Sequence, residues 1–215
     1  MPPYPEEHDL QIPVKERIWQ IRRRPLQRTA FMILAGLGLG ALTLFGQGVL
    51  PGSWNHFANS GAMWLLGAFL VGALMPSYRW AVAGGVITLF GALAGYTLAA
   101  GALGFQYPLS ALAFWGAIGL VGGPLFGAAG RAWRSADIRQ RVIGLALLGA
   151  VFAAEGWYTL RVNQDVLAGG LLITIGVLLA LLLPRSGKER LYTLLAMIPI
   201  TALGIAAFAL IGGMV

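Results

Sequence analysis

Cysteine is absent from this 215-residue chain, and histidine occurs only at His8 and His56. The first absence excludes disulfides, thiolate metal sites and cysteine nucleophiles. The second leaves no pair of imidazoles for zinc or haem, since His8 lies in the N-terminal tail and His56 between the first two apolar stretches. No His-Glu-x-x-His and no Gly-x-Ser-x-Gly occurs, and the serines nearest the apolar stretches, Ser60, Ser77 and Ser110, sit at their ends. No nucleophile and base are therefore arranged for catalysis, and the chain reads as a non-enzyme with no metal and no cofactor.

Charge is scarce too. Only 11% of residues are Asp, Glu, Lys or Arg, while 58% are hydrophobic and the mean hydropathy is +0.75. A soluble domain carries about 25% charged residues. Seven apolar segments follow one another, at 29–50, 60–75, 80–103, 109–130, 142–160, 166–184 and 191–214. Most approach the roughly 20 residues that cross about 30 Å of hydrocarbon as a helix. The expected architecture is an all-α, seven-helix polytopic membrane protein, with a tail over 1–28 and a helical domain over 29–215. The second segment is the shortest of the seven.

Lys and Arg collect on the cytoplasmic side of membrane proteins. With the N-terminus inside and the C-terminus outside, fourteen of the fifteen basic residues are internal: six from Lys15 to Arg28, then Arg79, four from Arg131 to Arg141, and Arg185, Lys188 and Arg190. Only Arg161 falls outside. The net charge of +7 thus follows from orientation in a bacterial inner membrane and gives no reason to expect nucleic acid. The basic stretch 15–28 reads either as an interfacial helix touching anionic lipid or as a tail that only sets orientation. The first apolar segment is too long and too far from the start for a cleavable signal.

Three short strings recur in order. Leu44-Phe45-Gly46 returns as Leu125-Phe126-Gly127, Leu65-Leu66-Gly67-Ala68 as Leu147-Leu148-Gly149-Ala150, and Ala83-Gly84-Gly85 as Ala168-Gly169-Gly170. With three helices between copies, the second would cross the membrane in the opposite sense. That describes an inverted repeat of 29–103 and 109–184 with helix 191–214 appended. Chance in a chain with 31 glycines is the alternative. Gly122-Gly123-Pro124 predicts a kink in the fourth helix, and Pro199 another in the seventh, since proline removes a backbone hydrogen bond. Gly116, Gly119, Gly123, Gly127 and Gly130 share one face, suited to close helix approach or to a hinge.

Glu155 is the acid that falls inside an apolar segment; Glu6, Glu7, Asp9, Glu16, Asp137, Asp165 and Glu189 read as tail or loop. Such a group costs roughly 2.5–3.5 kcal/mol on insertion scales, so it marks a bundle interior, a pathway or a ligand. Tyr158 and Thr159 follow at i+3 and i+4. Gln47, Trp64, Trp115 and Tyr107 belong to the same outer side. These residues suit an organic cation or a flat heterocycle through stacking and cation–π contact, although anchoring aromatics at the interface would look alike. A neutral, hydrogen-bonded Glu155 is the structural alternative.

Gly123-Pro124-Leu125-Phe126-Gly127 and Ala154-Glu155-Gly156, with the basic loop between them, resemble an uncharacterised family of multi-pass proteins of about 200 residues from actinobacteria and related bacteria. That resemblance implies no activity. More loosely, size and outward polar groups are similar to the S components of energy-coupling factor transporters, which have six helices and two internal ends. Gly36-x-x-x-Gly40 would stand for their docking stripe. The leading expectation is small-molecule transport or membrane-embedded ligand binding around Glu155. The rival is an accessory or assembly subunit docking a membrane partner, or a second copy of itself, through its glycine faces.

Overall fold

The computed structural model describes residues 25–212, so the tail 1–24, with its expected interfacial helix, lies outside the described residues. Those residues form helices α1 (Pro25–Val49), α2 (Gly61–Leu74), α3 (Tyr78–Ala102), α4 (Leu109–Trp133), α5 (Ile138–Arg161), α6 (Val166–Leu182) and α7 (Gly187–Gly212), and no strand. A 3-10 turn at Gly52–Trp54 and a single helical turn at Asn55–Ala58 lead into α2. Six spans are long and apolar enough to cross a membrane, one of them Gly52–Leu74 taken as a unit. The seventh, α6, has 17 residues, about 25 Å at 1.5 Å per residue. The architecture is all-α and consistent with a multi-pass membrane protein.

Helix starts follow local chemistry. Ser60 accepts the Met63 N–H at 3.3 Å, Asp137 that of Arg139 at 2.9 Å and Asp165 that of Ala168 at 3.0 Å, each satisfying a donor with no intrahelical partner. Pro124 and Pro199 lie inside α4 and α7, and both helices continue past them. Neighbouring helices supply the packing that lets a membrane helix tolerate proline.

Consecutive helices run antiparallel, which divides the bundle into a basic end and a charge-poor end. α3 packs between α1 and α4, while α5 holds α6 and α7 and meets α4; α2 closes the centre against α3 and α4. Phe69, Leu89, Phe126, Leu145, Leu148, Phe152 and Leu172 fill the space between them. The two halves pack differently, because α1 lies along α3 whereas α4 leaves α6 to α5. The recurring strings therefore occupy two unlike surroundings.

Glycine sets the helix spacing. A Cβ on Gly40 would collide with the Ala92 carbonyl and lie 2.6 Å from the Tyr96 nitrogen; on Gly123 it would lie 2.8 Å from the Val86 backbone. Gly127 and Gly130 likewise face the Ala81 and Phe69 carbonyls, and Gly36 faces that of Thr88. The glycine faces expected to dock a partner are thus occupied inside the chain. Gly122, in contrast, meets only side-chain atoms, those of Leu65 and Leu89.

One sequence expectation needs correction. Glu189 reads as a loop acid, yet it lies in the first turn of α7 and is fully buried. Arg141 of α5 grips both its oxygens, Nε to Oε1 at 2.9 Å and Nη2 to Oε2 at 3.2 Å, and the Arg185 N–H adds a third bond at 3.2 Å. Arg141 also donates to the carbonyls of Ser135 and Ala136 at 3.1 and 2.7 Å. Glu155 is therefore one of two buried acids among the described residues, and the second is paired.

Candidate functional site

At the charge-poor end, the last turns of α1 and α3 meet the first turns of α2 and α4. Positions 43 and 47 of α1 are four apart, so they share a face. That face carries Thr43 and Gln47 toward Asn59, Trp64, Tyr96, Tyr107 and Trp115, which with Ala58 line a cavity of about 40 Å³. A cavity of that size holds a few waters.

Its rings form a connected set. Trp64 lies 5.5 Å from Trp115 and 6.5 Å from Tyr96, and Tyr96 meets Tyr107 edge-on at 5.3 Å. Its polar groups form a second set. The Tyr96 hydroxyl donates to Gln47 Oε1 at 2.8 Å, Gln47 Nε2 to Asn59 Oδ1 at 2.5 Å, and Asn59 Nδ2 to Asn55 Oδ1 at 2.9 Å. Asn55 Nδ2 donates in turn to the Gln47 carbonyl at 2.7 Å, capping the end of α1. The Trp64 indole donates to Thr43 at 3.0 Å, which fixes its ring plane. Burial, and then the neighbouring Tyr96, push the Tyr107 phenol above its ordinary range, with Trp115 partly offsetting them. Tyr107 is therefore a neutral hydrogen-bond donor at any physiological pH. No charged side chain lines the cavity among the described residues.

Glu155 stands behind this pocket. It is 9% exposed and accepts the Ala62 N–H at 2.6 Å, with Ser60 and the Gly61 N–H also at hand. A carboxylate from α5 thus caps α2 from outside, where the helix dipole favours a negative charge. Gly61 is the thin wall between the two features: a Cβ there would lie 3.7 Å from Glu155 Oε2 and 3.9 Å from the Trp115 ring.

Of the residues singled out by sequence, Gln47, Trp64, Tyr107 and Trp115 come together. Tyr158 turns away and stacks on Phe208 of α7 at 5.6 Å, while Thr159 is buried beside the α5–α6 loop, its carbonyl accepting the Asp165 N–H at 3.2 Å. Thr43 and Asn59 were not foreseen as pocket residues. The helical spacing of Thr43 from Gln47 was legible; the fold-back of Asn59 onto Gln47 was not. No group of three or more potential metal ligands occurs among the described residues.

The same end is tied by His56 and Asp165, 3.3 Å apart. The Ala168 N–H, with smaller help from Ser53 and His56, holds the Asp165 carboxyl below its ordinary range against an opposing effect of burial. A depressed folded-state value means that its stabilisation is present above the unfolded aspartate value, about 3.9, and is lost as pH falls through the folded one. The melting temperature of the wild type should therefore drop on acidification below about pH 4. Asp165→Asn, which keeps a capping oxygen but no charge, should flatten that part of the profile, as a thermal-melt series across pH would record.

Over residues 20–214 the chain matches a family of unknown function, DUF6518, and it belongs to that family. No curated protein and no solved structure matches the chain, so the looser likeness to S components finds no support there.

Proposed function

We propose that this protein binds a small, flat molecule, a neutral heterocycle or a singly charged organic cation, in the aromatic pocket and carries it across a bacterial inner membrane. The observation behind this reading is the pocket's composition: four aromatic rings and three hydrogen-bonding side chains, with no fixed charge. Rings stack on a planar solute or hold a cation over their faces, and the amides of Gln47 and Asn59 choose its orientation. The cavity is small, so a solute enters by displacing Tyr107, which sits half-buried on the turn before α4 next to Gly104 at φ +81°.

The distribution of basic residues supports a cytoplasmic N-terminus and an external pocket, with all seven helices crossing. Substrate then enters from outside. No observation favours the accessory-subunit reading, because the glycine faces meant for a partner are filled internally.

A thermal-shift panel of quaternary ammonium ions and neutral heterocycles on the nanodisc-embedded protein tests the binding. A true ligand at a hundred times its dissociation constant stabilises by about 2.7 kcal/mol. Trp115→Ala should weaken it about tenfold, the worth of one stacking or cation–π partner. A panel without any stabilising compound, or one whose hits ignore Trp115→Ala, would sink the proposal.

A further inference from the structure

Glu155 carries no role in the pocket reading, yet its position is hard to explain by packing alone. It lies inside a membrane-spanning helix, almost wholly buried, and no cation faces it among the described residues. α2 offers Ser60 and the N–H groups of Gly61 and Ala62, and α4 offers the Trp115 ring. α6 and α7 pack here through Gly169 and Gly204, without an ionisable side chain. On α5 itself, Tyr158 turns to Phe208, and Arg161 is solvent-exposed at the helix end. Beyond α5, Asp165 is occupied by His56 and the Ala168 N–H.

Among the described residues, the sole counter-charge of an ionised Glu155 is therefore the amino terminus of α2. That terminus is also the frame of the pocket. Asn59 and Ala58 precede it, Gly61 touches both Glu155 and Trp115, and Trp64 stands one turn on. We propose that Glu155 is a proton-binding site whose loading releases the amino terminus of α2 and so opens the aromatic pocket. The meaning of that opening rests on the pocket being a binding site; the protonation itself does not.

The chemistry is a simple addition. A proton from water at the charge-poor end forms an O–H bond on a carboxylate oxygen, and the negative charge disappears. Neutral Glu155 is a weaker acceptor for the Ala62 N–H and gains nothing from the helix dipole. The first turn of α2 then frays, and Trp64 and Asn59 move with it. A carrier so built would couple one proton to one solute, because empty and loaded pockets prefer different protonation states of the same carboxyl.

The test uses protons alone, on the protein in lipid nanodiscs. Infrared spectroscopy above about pH 6, where ordinary carboxyls are already ionised, should show one carboxylic C=O band that titrates, accompanied by a change in tryptophan emission that Trp115→Phe removes. Amide exchange over residues 60–64 should quicken about tenfold on the acid side, the worth of a hydrogen bond to a charged acceptor. Glu155→Gln keeps a carbonyl for Ala62 and should fold. It should lack the band and show the fast exchange at every pH. Persistence of the band in Glu155→Gln, or a titrating carboxyl without change in emission and exchange at 60–64, would overturn the proposal. A ligand panel that fails leaves this result standing, and a failed titration leaves pocket binding standing.

Discussion

Gly40→Ala is expected to remove most of the folded protein, at a cost of about 3 kcal/mol, the upper end of the range for overpacking a close-packed site. A methyl at Gly40 runs into the backbone of Ala92 and Tyr96, and neither can move without shifting α3 off α1. Side chains adapt by changing rotamer; a carbonyl in a helix does not. The same change at Gly38, two residues away, meets nothing within 4 Å and should be neutral or slightly stabilising. Thermal unfolding of the two variants side by side separates helix spacing from a general effect of mutating glycine. Equal behaviour of Gly38→Ala and Gly40→Ala would contradict the tight contact between α1 and α3.

Glu189→Ala comes next, at about 3 kcal/mol, the low end of what breaking a buried ion pair costs. Glu189 is fully buried, so its removal strands the Arg141 guanidinium and leaves the Arg185 N–H without its acceptor. Arg141→Met alone should be similarly damaging, since it abandons a carboxylate in the interior. The pair exchanged together, Arg141→Met with Glu189→Leu, should recover part of the loss, because it removes both buried charges while the Arg185 N–H still lacks its acceptor. A double-mutant cycle of melting temperatures measures that recovery. Additive losses would show that the two residues act separately.

The membrane architecture was legible because hydropathy is summed over twenty residues at a time, and no single residue decides it. Helix boundaries came out within a few residues for the same reason. What failed were judgements about individual groups. Glu189 follows Ser186-Gly187-Lys188, so it looks like loop, yet Ser186 caps the helix and turns Glu189 inward at once. Its partner Arg141 is 48 positions away, and no local pattern announces a pairing over that distance. Glu155 stands out in the sequence as an acid in an apolar segment, but its partner is the backbone of another helix. Sequence shows side chains; the free N–H groups of a helix start are the same in every sequence. The glycine face of α4 was legible as a surface for close approach, whereas its occupants, α2 and α3, follow only from the fold.

The shortness of α2 has a consequence for how this protein can change over generations. Fourteen helical residues cover about 21 Å, so a full crossing also needs the 3-10 turn Gly52–Trp54 and the helical turn Asn55–Ala58, and the peptide groups at the joints between these short pieces must find partners within the protein. Asn55 supplies one, to the Gln47 carbonyl at the end of α1, and its side chain is held in turn by Asn59, a wall of the pocket. In the proposed function, recognition by Asn59 and insertion through Asn55 are thereby linked by one contact between two amides. Under the proposed function, a lineage drifting toward a new solute cannot exchange this pair freely, and would alter its preference through the rings on α3 and α4 instead.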